Sequence, residues 1–250
     1  MKQFLLVTDL DNTLIGDDHS LALLNNKLTE HRQKYDTKIV YATGRSLSLY
    51  RQLAQEKQLL SPDAIIAAVG TEIYYDPNCA PDITWSQQLS IGWDRDLIVS
   101  IVAHFADLIP QIDIENPPFK VSYYLAKEAA IEILPRLEAR LKAENLEFQI
   151  IYSSKRDLDI LPKYGNKGLA MEFLQKKWGV EPHNTVVCGD SGNDIALLNV
   201  NDERGIIVGN AKPELVLWDE VNPTPHHYLA KSSYAGGILE GLYYFGFLLP

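Results

Sequence analysis

The chain has 250 residues, a formal net charge of -10, and 46% hydrophobic and 22% charged residues, the composition of a globular protein with a sizeable core in one large domain or two modest ones. The acidic balance argues against nucleic acid or an anionic membrane surface as a partner, so an anionic substrate would need locally placed cations or amides. The N-terminal apolar stretch is cut by Asp9 and Asp11, which is not the pattern of a signal peptide, and no stretch approaches the ~20 apolar residues of a membrane span.

Phe4 to Thr8 is a short apolar run stopped by Asp9, Asp11, Asn12 and Thr13. Such a run reads as a buried parallel strand whose carboxyl end opens into a loop, the place where ligands sit in open α/β sheets. Two carboxylates two residues apart on that loop can face one pocket, where at ~4 Å they repel by about 4 kcal/mol. The pair therefore implies Mg²⁺ or another hard, oxygen-seeking cation. A solvated Asp-rich turn would explain the stretch taken alone.

Leu21 to Tyr35 carries helical spacing, and Lys38 to Ala42 reads as a second strand ending in Thr43, Gly44, Arg45 and Ser46. A Thr-Gly turn at a helix start suits an anion, because a hydroxyl and free backbone amides converge there. Leu47 to Leu59 continues as that helix, and Ala64 to Val69 is a third apolar strand stopped by Gly70, Thr71 and Glu72. Strands and helices alternating on short connections point to a parallel, doubly wound α/β sheet.

From about Pro77 the texture changes, with Trp85 and Trp93 in a less regular region and helical spacing from Leu97 to Leu108. Lys120 to Leu125 and Phe148 to Tyr152 read as strands around a helix from Ala129 to Glu144, which suggests a small α+β module inserted into the larger sheet. Leu158 to Leu161 follows the insertion and leads through Lys163 and Tyr164 to a helix from Lys167 to Trp178. Thr185 to Cys188 is another buried strand, and it ends in a second acidic loop, Gly189, Asp190, Ser191, Gly192, Asn193, Asp194, before a helix from Ile195 to Leu198. A metal shared between the two acidic loops explains both. Gly205 to Val208 and Tyr228 to Ala230 read as short strands, and a stripe from Ile238 to Leu249 as a packed final helix.

The six histidines and two cysteines, Cys79 and Cys188, show no zinc-ligand spacing. Cys188 in its apolar run reads as a packed thiol, and the low cysteine use points to a reducing cytoplasm. Ser191 lacks the glycine that a nucleophile elbow requires, which argues against a serine hydrolase.

DLDNT at Asp9 to Thr13, TGR at Thr43 to Arg45, Lys167 in GNKG, and GDSGND at Gly189 to Asp194 together resemble the haloacid dehalogenase superfamily of phosphohydrolases. ATGRSLSLY, VGTEI, KVSYY, LDILP and CGDSGND resemble its sucrose-phosphate phosphatase family. The resemblance implies a Rossmann-like core, residues 1–80 and 162–250, with an inserted α+β cap of C2B type over residues 81–161. It implies a nucleophile at Asp9 and an acid/base at Asp11. It implies Mg²⁺ held by Asp9, the Asp11 carbonyl and Asp190, with Ser191 or Asp194 in support, and phosphate bound by Thr43, Gly44, Lys167 and Asn193.

For the sugar, Lys120 and Glu72 lead, with Arg45 and Ser46 behind them, while Lys163 reads equally well as a surface lysine. The expected activity is hydrolysis of sucrose 6-phosphate, with another sugar-phosphate phosphatase, a phosphohexomutase or a non-catalytic regulatory module as the alternatives. A sucrose-phosphate synthase is the protein partner to test.

Overall fold

The computed structural model describes residues 2–249. Its strands are β1 (Leu5–Thr8), β2 (Lys38–Ala42), β3 (Ala64–Ala67), β4 (Glu72–Tyr74), β5 (Ile109–Pro110), β6 (Val121–Tyr124), β7 (Phe148–Ser153), β8 (Asp157–Pro162), β9 (Thr185–Gly189), β10 (Arg204–Ile207) and β11 (His227–Leu229). Its helices are α1 (Asp18–Tyr35), α2 (Leu47–Glu56), α3 (Ile83–Leu89), α4 (Arg95–Val102), α5 (Lys127–Ala143), α6 (Lys167–Trp178), α7 (Ile195–Leu198), α8 (Pro213–Val221) and α9 (Tyr234–Tyr244).

The main sheet has seven strands in the order β11-β10-β9-β1-β2-β3-β4, parallel except for β4. β1 is buried along its whole length, as its unbroken apolar run requires. From β1 the chain builds outward to β2, β3 and β4, then returns to build β9, β10 and β11 on the other side. The strand order therefore reverses between β1 and β9, the kind of crevice where such sheets bind ligands. Two apolar clusters cover the two faces, one centred on Leu6, Leu24, Ile39 and Leu242, the other on Leu5, Val40, Met171 and Leu174.

The inserted sheet is antiparallel, in the order β5-β6-β8-β7. α4 and α5 cover one face through Ile98, Ile101, Leu137 and Leu141, which meet Val121, Tyr123, Leu158 and Ile160. Strand residues alternate between faces, so Ser122, Asp157 and Asp159 point the other way.

Three sequence expectations shift. The third apolar run ends at Ala67, because Ala68 and Val69 adopt positive φ of 50° and 61° and turn the chain back, so that Glu72 to Tyr74 becomes an antiparallel edge strand. Leu158 to Leu161 does not follow the insertion; it belongs to β8, which pairs with β6 on one side and β7 on the other. α3, inside the expected 81–161 segment, packs on the main sheet: Trp85 and Leu89 join its apolar cluster, and the Trp85 indole donates to the Gly70 carbonyl at 3.0 Å.

Gly70 has φ of +99° and lies against α6. A Cβ there would fall 2.1 Å from the Asn166 carbonyl carbon, so only glycine lets the start of α6, and Lys167 with it, approach the β3 end this closely.

Candidate active site

The floor of the site is built by loops at the carboxyl edge of the main sheet. Thr8 pairs with Cys188 in register, and the Asp9 amide donates to the Cys188 carbonyl at 3.0 Å, so the two acidic loops leave adjacent strands side by side. Carboxylate oxygens of Asp9, Asp190 and Asp194 lie within 4.8 Å of one another, and all three residues are buried. Lys167, fully buried, donates to Asp9 Oδ1 at 2.6 Å, Asp194 Oδ1 at 2.7 Å and Asn193 Oδ1 at 3.1 Å. An ammonium has three donors, so these bonds use them all.

Burial alone would push Lys167 down, but Asp194 and Asp9 more than offset it and hold the ammonium protonated. Asp9 is raised above the usual carboxylate range: burial raises it, Lys167 opposes, and the charges of Asp194 and Asp190 add to the rise. Burial and the neighbouring Asp194 raise Asp190 to about 7. Asp190 Oδ1 accepts from the Thr13 hydroxyl at 3.3 Å, whereas Asp190 Oδ2 is buried with no hydrogen-bond partner.

One lysine against three clustered carboxylates leaves the floor electron-rich, and the bare Asp190 oxygen is an unmet acceptor beside it. This donor set fits a hard divalent cation. Asp194 is the most committed of the three: its Oδ2 accepts the backbone amides of Asp190 and Ser191 at 3.0 and 3.1 Å while Oδ1 meets Lys167. Its contacts make it the brace of the loop.

Beside these acids, the Thr43 hydroxyl oxygen accepts the Arg45 amide at 3.1 Å, which leaves its proton free. Lys167 occupies the Asn193 carbonyl oxygen, and the Asn193 amide nitrogen lies near Gly44. Arg45 donates from Nε and Nη2 to the two oxygens of Asp11, 2.7 Å each, and this bond holds the guanidinium above its ordinary range.

A cavity of ≈ 350 Å³ opens above this floor. Asp9, Asp11, Gly44, Arg45, Asp190 and Asn193 line it below, and Gln111, Glu115, Lys120, Ser153, Asp157 and Asp159 line it from the inserted sheet. Lys120, 3% exposed, donates to the Gly44 carbonyl at 3.3 Å and lies 3.6 Å from Glu115 and Asp159. The roof thus presents both hydroxyl acceptors and a cation.

The chain matches the family described as sucrose-6F-phosphate phosphohydrolase over residues 2–246. It belongs to that family. A probable sucrose-phosphatase of Arabidopsis thaliana is 40% identical over 97% of this chain and 60% of its own length. The chain thus spans about 60% of the length of the curated plant relatives it matches. A mannosylfructose-phosphate phosphatase of Agrobacterium fabrum is 34% identical over 97% of this chain and 96% of its own length. The structure of the sucrose-phosphatase of Synechocystis sp. PCC6803, solved with sucrose and phosphate, superposes with a TM-score of 0.92 at 41% identity, covering 100% of both chains. The fold is that of haloacid dehalogenase-like structures, and a putative HAD-like hydrolase of Nitrosococcus oceani is 33% identical over 98% of this chain and 72% of its own length.

Of the residues that the sequence singled out, Asp9, Asp11, Gly44, Arg45, Lys120, Asp190, Ser191 and Asn193 line the cavity. Thr43, Lys167 and Asp194 lie buried directly behind them. Ser46 and Glu72 are not among the lining residues. Ser46 stands at the N-cap position of α2, its hydroxyl turned to that of Ser48 at 3.2 Å and not to the helix amides, and Glu72 sits half-buried on the edge strand, where burial raises its carboxyl. Lys163 is on the surface, paired with Glu147 at 2.6 Å. Sequence reasoning missed Gln111, Glu115, Ser153, Asp157 and Asp159. The alternation Asp157, Leu158, Asp159, Ile160 carried the signal, since period two sends both acids to the face opposite the apolar core.

Proposed function

We propose that this protein hydrolyses a disaccharide phosphate, with sucrose 6F-phosphate the first candidate, through a phosphorylated aspartate. One observation carries the reading: a floor built of Asp9, Asp190, Asp194 and Lys167 faces, across one cavity, a roof of Gln111, Glu115, Lys120, Asp157 and Asp159. The floor can handle only a phosphoryl group, while the roof offers carboxylates, an amide and a cation to sugar hydroxyls.

In the first step Asp9 forms its bond to phosphorus as the ester P–O bond breaks, and Asp11 gives its proton to the departing sugar oxygen. In the second, Asp11 takes a proton from a water that attacks the phosphorus, releasing inorganic phosphate and restoring Asp9. The Thr43 hydroxyl, the Gly44 amide and the Asn193 amide hold the phosphoryl oxygens where charge accumulates. Lys167 anchors Asp9 and offsets its charge. Mg²⁺ would be held by Asp9 and Asp190, with Ser191 beside them and Asp194 bracing the loop, and when bound it neutralises the repulsion between the carboxylates and the incoming phosphate.

The Agrobacterium relative supports a second reading, a disaccharide phosphate other than that of sucrose. Inorganic phosphate released with Mg²⁺ from sucrose 6F-phosphate, mannosylfructose phosphate, trehalose phosphate and hexose monophosphates tests both. We expect a disaccharide phosphate to be preferred by kcat/KM, and a clear preference for a hexose monophosphate would overturn the proposal. Location in the cytoplasm and an encounter with a sucrose-phosphate synthase belong to the same proposal, supported by two unpaired cysteines and by the chemistry of the substrate.

A further inference from the structure

The turn joining β7 to β8 contributes Ser153 and Ser154 to the cavity wall, and it is an awkward turn. Ser154 and Lys155 both adopt the left-handed region, with φ of 53° and 55°, where glycine or asparagine is the usual occupant. A turn of this kind persists when neighbouring structure holds it. The neighbour is Glu214, in the first turn of α8, whose Oε1 accepts the Ser154 amide at 3.1 Å across the gap between the cap and the main sheet.

The start of α8 is itself fastened to the acidic loop, because the Lys212 amide donates to the Asp190 carbonyl at 2.7 Å. Gly192 of that loop is seated between the two partners: a Cβ placed on it would lie 3.5 Å from the Glu214 side chain, 3.6 Å from Ser153 Cβ and 3.7 Å from the Tyr152 carbonyl. Glu214 lies outside the cavity lining, and among the described residues its carboxylate accepts its hydrogen bond from the Ser154 amide and from no residue assigned to phosphoryl transfer.

We propose that Glu214 is a positioning residue that fastens the cap's β7–β8 turn over the acidic loop, so that Ser153 and the paired acids of β8 stand in place for the sugar. The proposal rests on the disaccharide-phosphatase reading for its substrate and on the Ser154 contact for its geometry. Lys120, donating to the Gly44 carbonyl, joins cap and main sheet elsewhere along the same cavity, so losing the Glu214 contact loosens one corner of the cap without releasing it.

The test compares the intact chain with Glu214→Ala and Glu214→Gln on its best sugar phosphate and on 4-nitrophenyl phosphate, a small aryl ester with no sugar for the cap to hold. We expect Glu214→Ala to raise KM for the sugar phosphate about tenfold or more, as the loss of one hydrogen bond to a charged acceptor predicts. The constants for the aryl ester and the thermal midpoint should stay at the parent values. Glutamine keeps a carbonyl oxygen that can accept the Ser154 amide, so Glu214→Gln should restore most of the sugar affinity. Trypsin should cut after Lys155 and Arg156 faster in the alanine variant than in the parent or the glutamine variant.

Equal losses on both substrates with a lowered midpoint would assign Glu214 to the stability of α8 and overturn the proposal. Parent-like KM together with parent-like trypsin cleavage would overturn it as well. If no sugar phosphate is hydrolysed while the aryl ester is, the substrate reading falls, and the trypsin comparison alone decides the role of Glu214.

Discussion

Arg45 grips Asp11 with two hydrogen bonds of 2.7 Å, Nε to Oδ2 and Nη2 to Oδ1. The side chains are 34% and 43% exposed, so water screens the pair, and its value is orientation more than stability. A planar guanidinium fixes a carboxylate plane in a way that a point charge does not. The residue proposed to move the proton is therefore held by its neighbour before substrate arrives. Arg45→Met should lower kcat by ~10-fold or more with a smaller change in KM, against ~10² to 10⁴ for Asp11→Asn. The double variant should be no slower than Asp11→Asn, because Arg45 acts through Asp11. A product of the two losses in steady-state rates would place Arg45 on the phosphoryl group instead.

Asp9→Asn should abolish phosphate release and keep the fold. Burial already raises the Asp9 carboxyl, so its charge is costly there and a neutral group of the same size relieves part of that cost. We expect the metal-free thermal midpoint at neutral pH to equal or exceed that of the parent. Turnover above a trace in the folded variant would rule out a covalent intermediate on Asp9.

Lys167→Met removes the ammonium that pairs with Asp9 and Asp194, each within 2.7 Å of it. Breaking a buried pair from one side costs ~3–5 kcal/mol, because the acids are left uncompensated. Calorimetry should show a large fall in midpoint, partly recovered at lower pH, where the acids bind protons. A midpoint within a degree of the parent would mean that Lys167 serves the phosphate and not the fold.

The pH dependence of metal binding follows from Asp190. Its folded value of about 7 lies above the unfolded range, so between roughly pH 4 and 7 the folded chain binds the extra proton. Stability of the metal-free protein from this group therefore falls as pH rises through that window. Metal binding displaces the proton, so the gain in thermal midpoint from Mg²⁺ over EDTA should grow as pH rises from about 5 to 8. EDTA should abolish activity and Mg²⁺ restore it, while Ca²⁺, with its looser coordination, should inhibit. Full activity in EDTA would refute the shared-metal reading.

Lys120→Ala should lower kcat/KM for the sugar phosphate by about tenfold, with little change for 4-nitrophenyl phosphate. The Lys120 ammonium is buried between Glu115 and Asp159 and reaches the Gly44 carbonyl, so it serves the cap side of the cavity. Equal loss on both esters would show instead that it organises the phosphate loop.

The main sheet and most of its site were legible in the sequence, because each signal was local. The run from Phe4 to Thr8 and the run from Thr185 to Cys188 are strands by their apolar continuity, and the acids that stop them fall at strand ends by chain connectivity alone. Lys167 stands at the start of α6, and Gly44 in the short loop between β2 and α2, for the same reason. Cys188 is a buried free thiol, as its apolar neighbours indicate.

What the tertiary structure decided was long-range. Whether Arg45 meets a sugar or Asp11 depends on how two loops 34 positions apart approach, and no spacing encodes that. Glu72 and Lys120 read alike as polar residues at strand ends, yet an antiparallel turn-back after Ala67 leaves Glu72 on the sheet edge while Lys120 enters the cavity. Asp157 and Asp159 acquired their place only when β8 was set between β6 and β7, because strand alternation assigns two faces and only packing against α4 and α5 says which face is core. The local chain thus determined that the two acidic loops and Lys167 stand at the carboxyl edge of the main sheet, and the packing of the inserted sheet determined what they face.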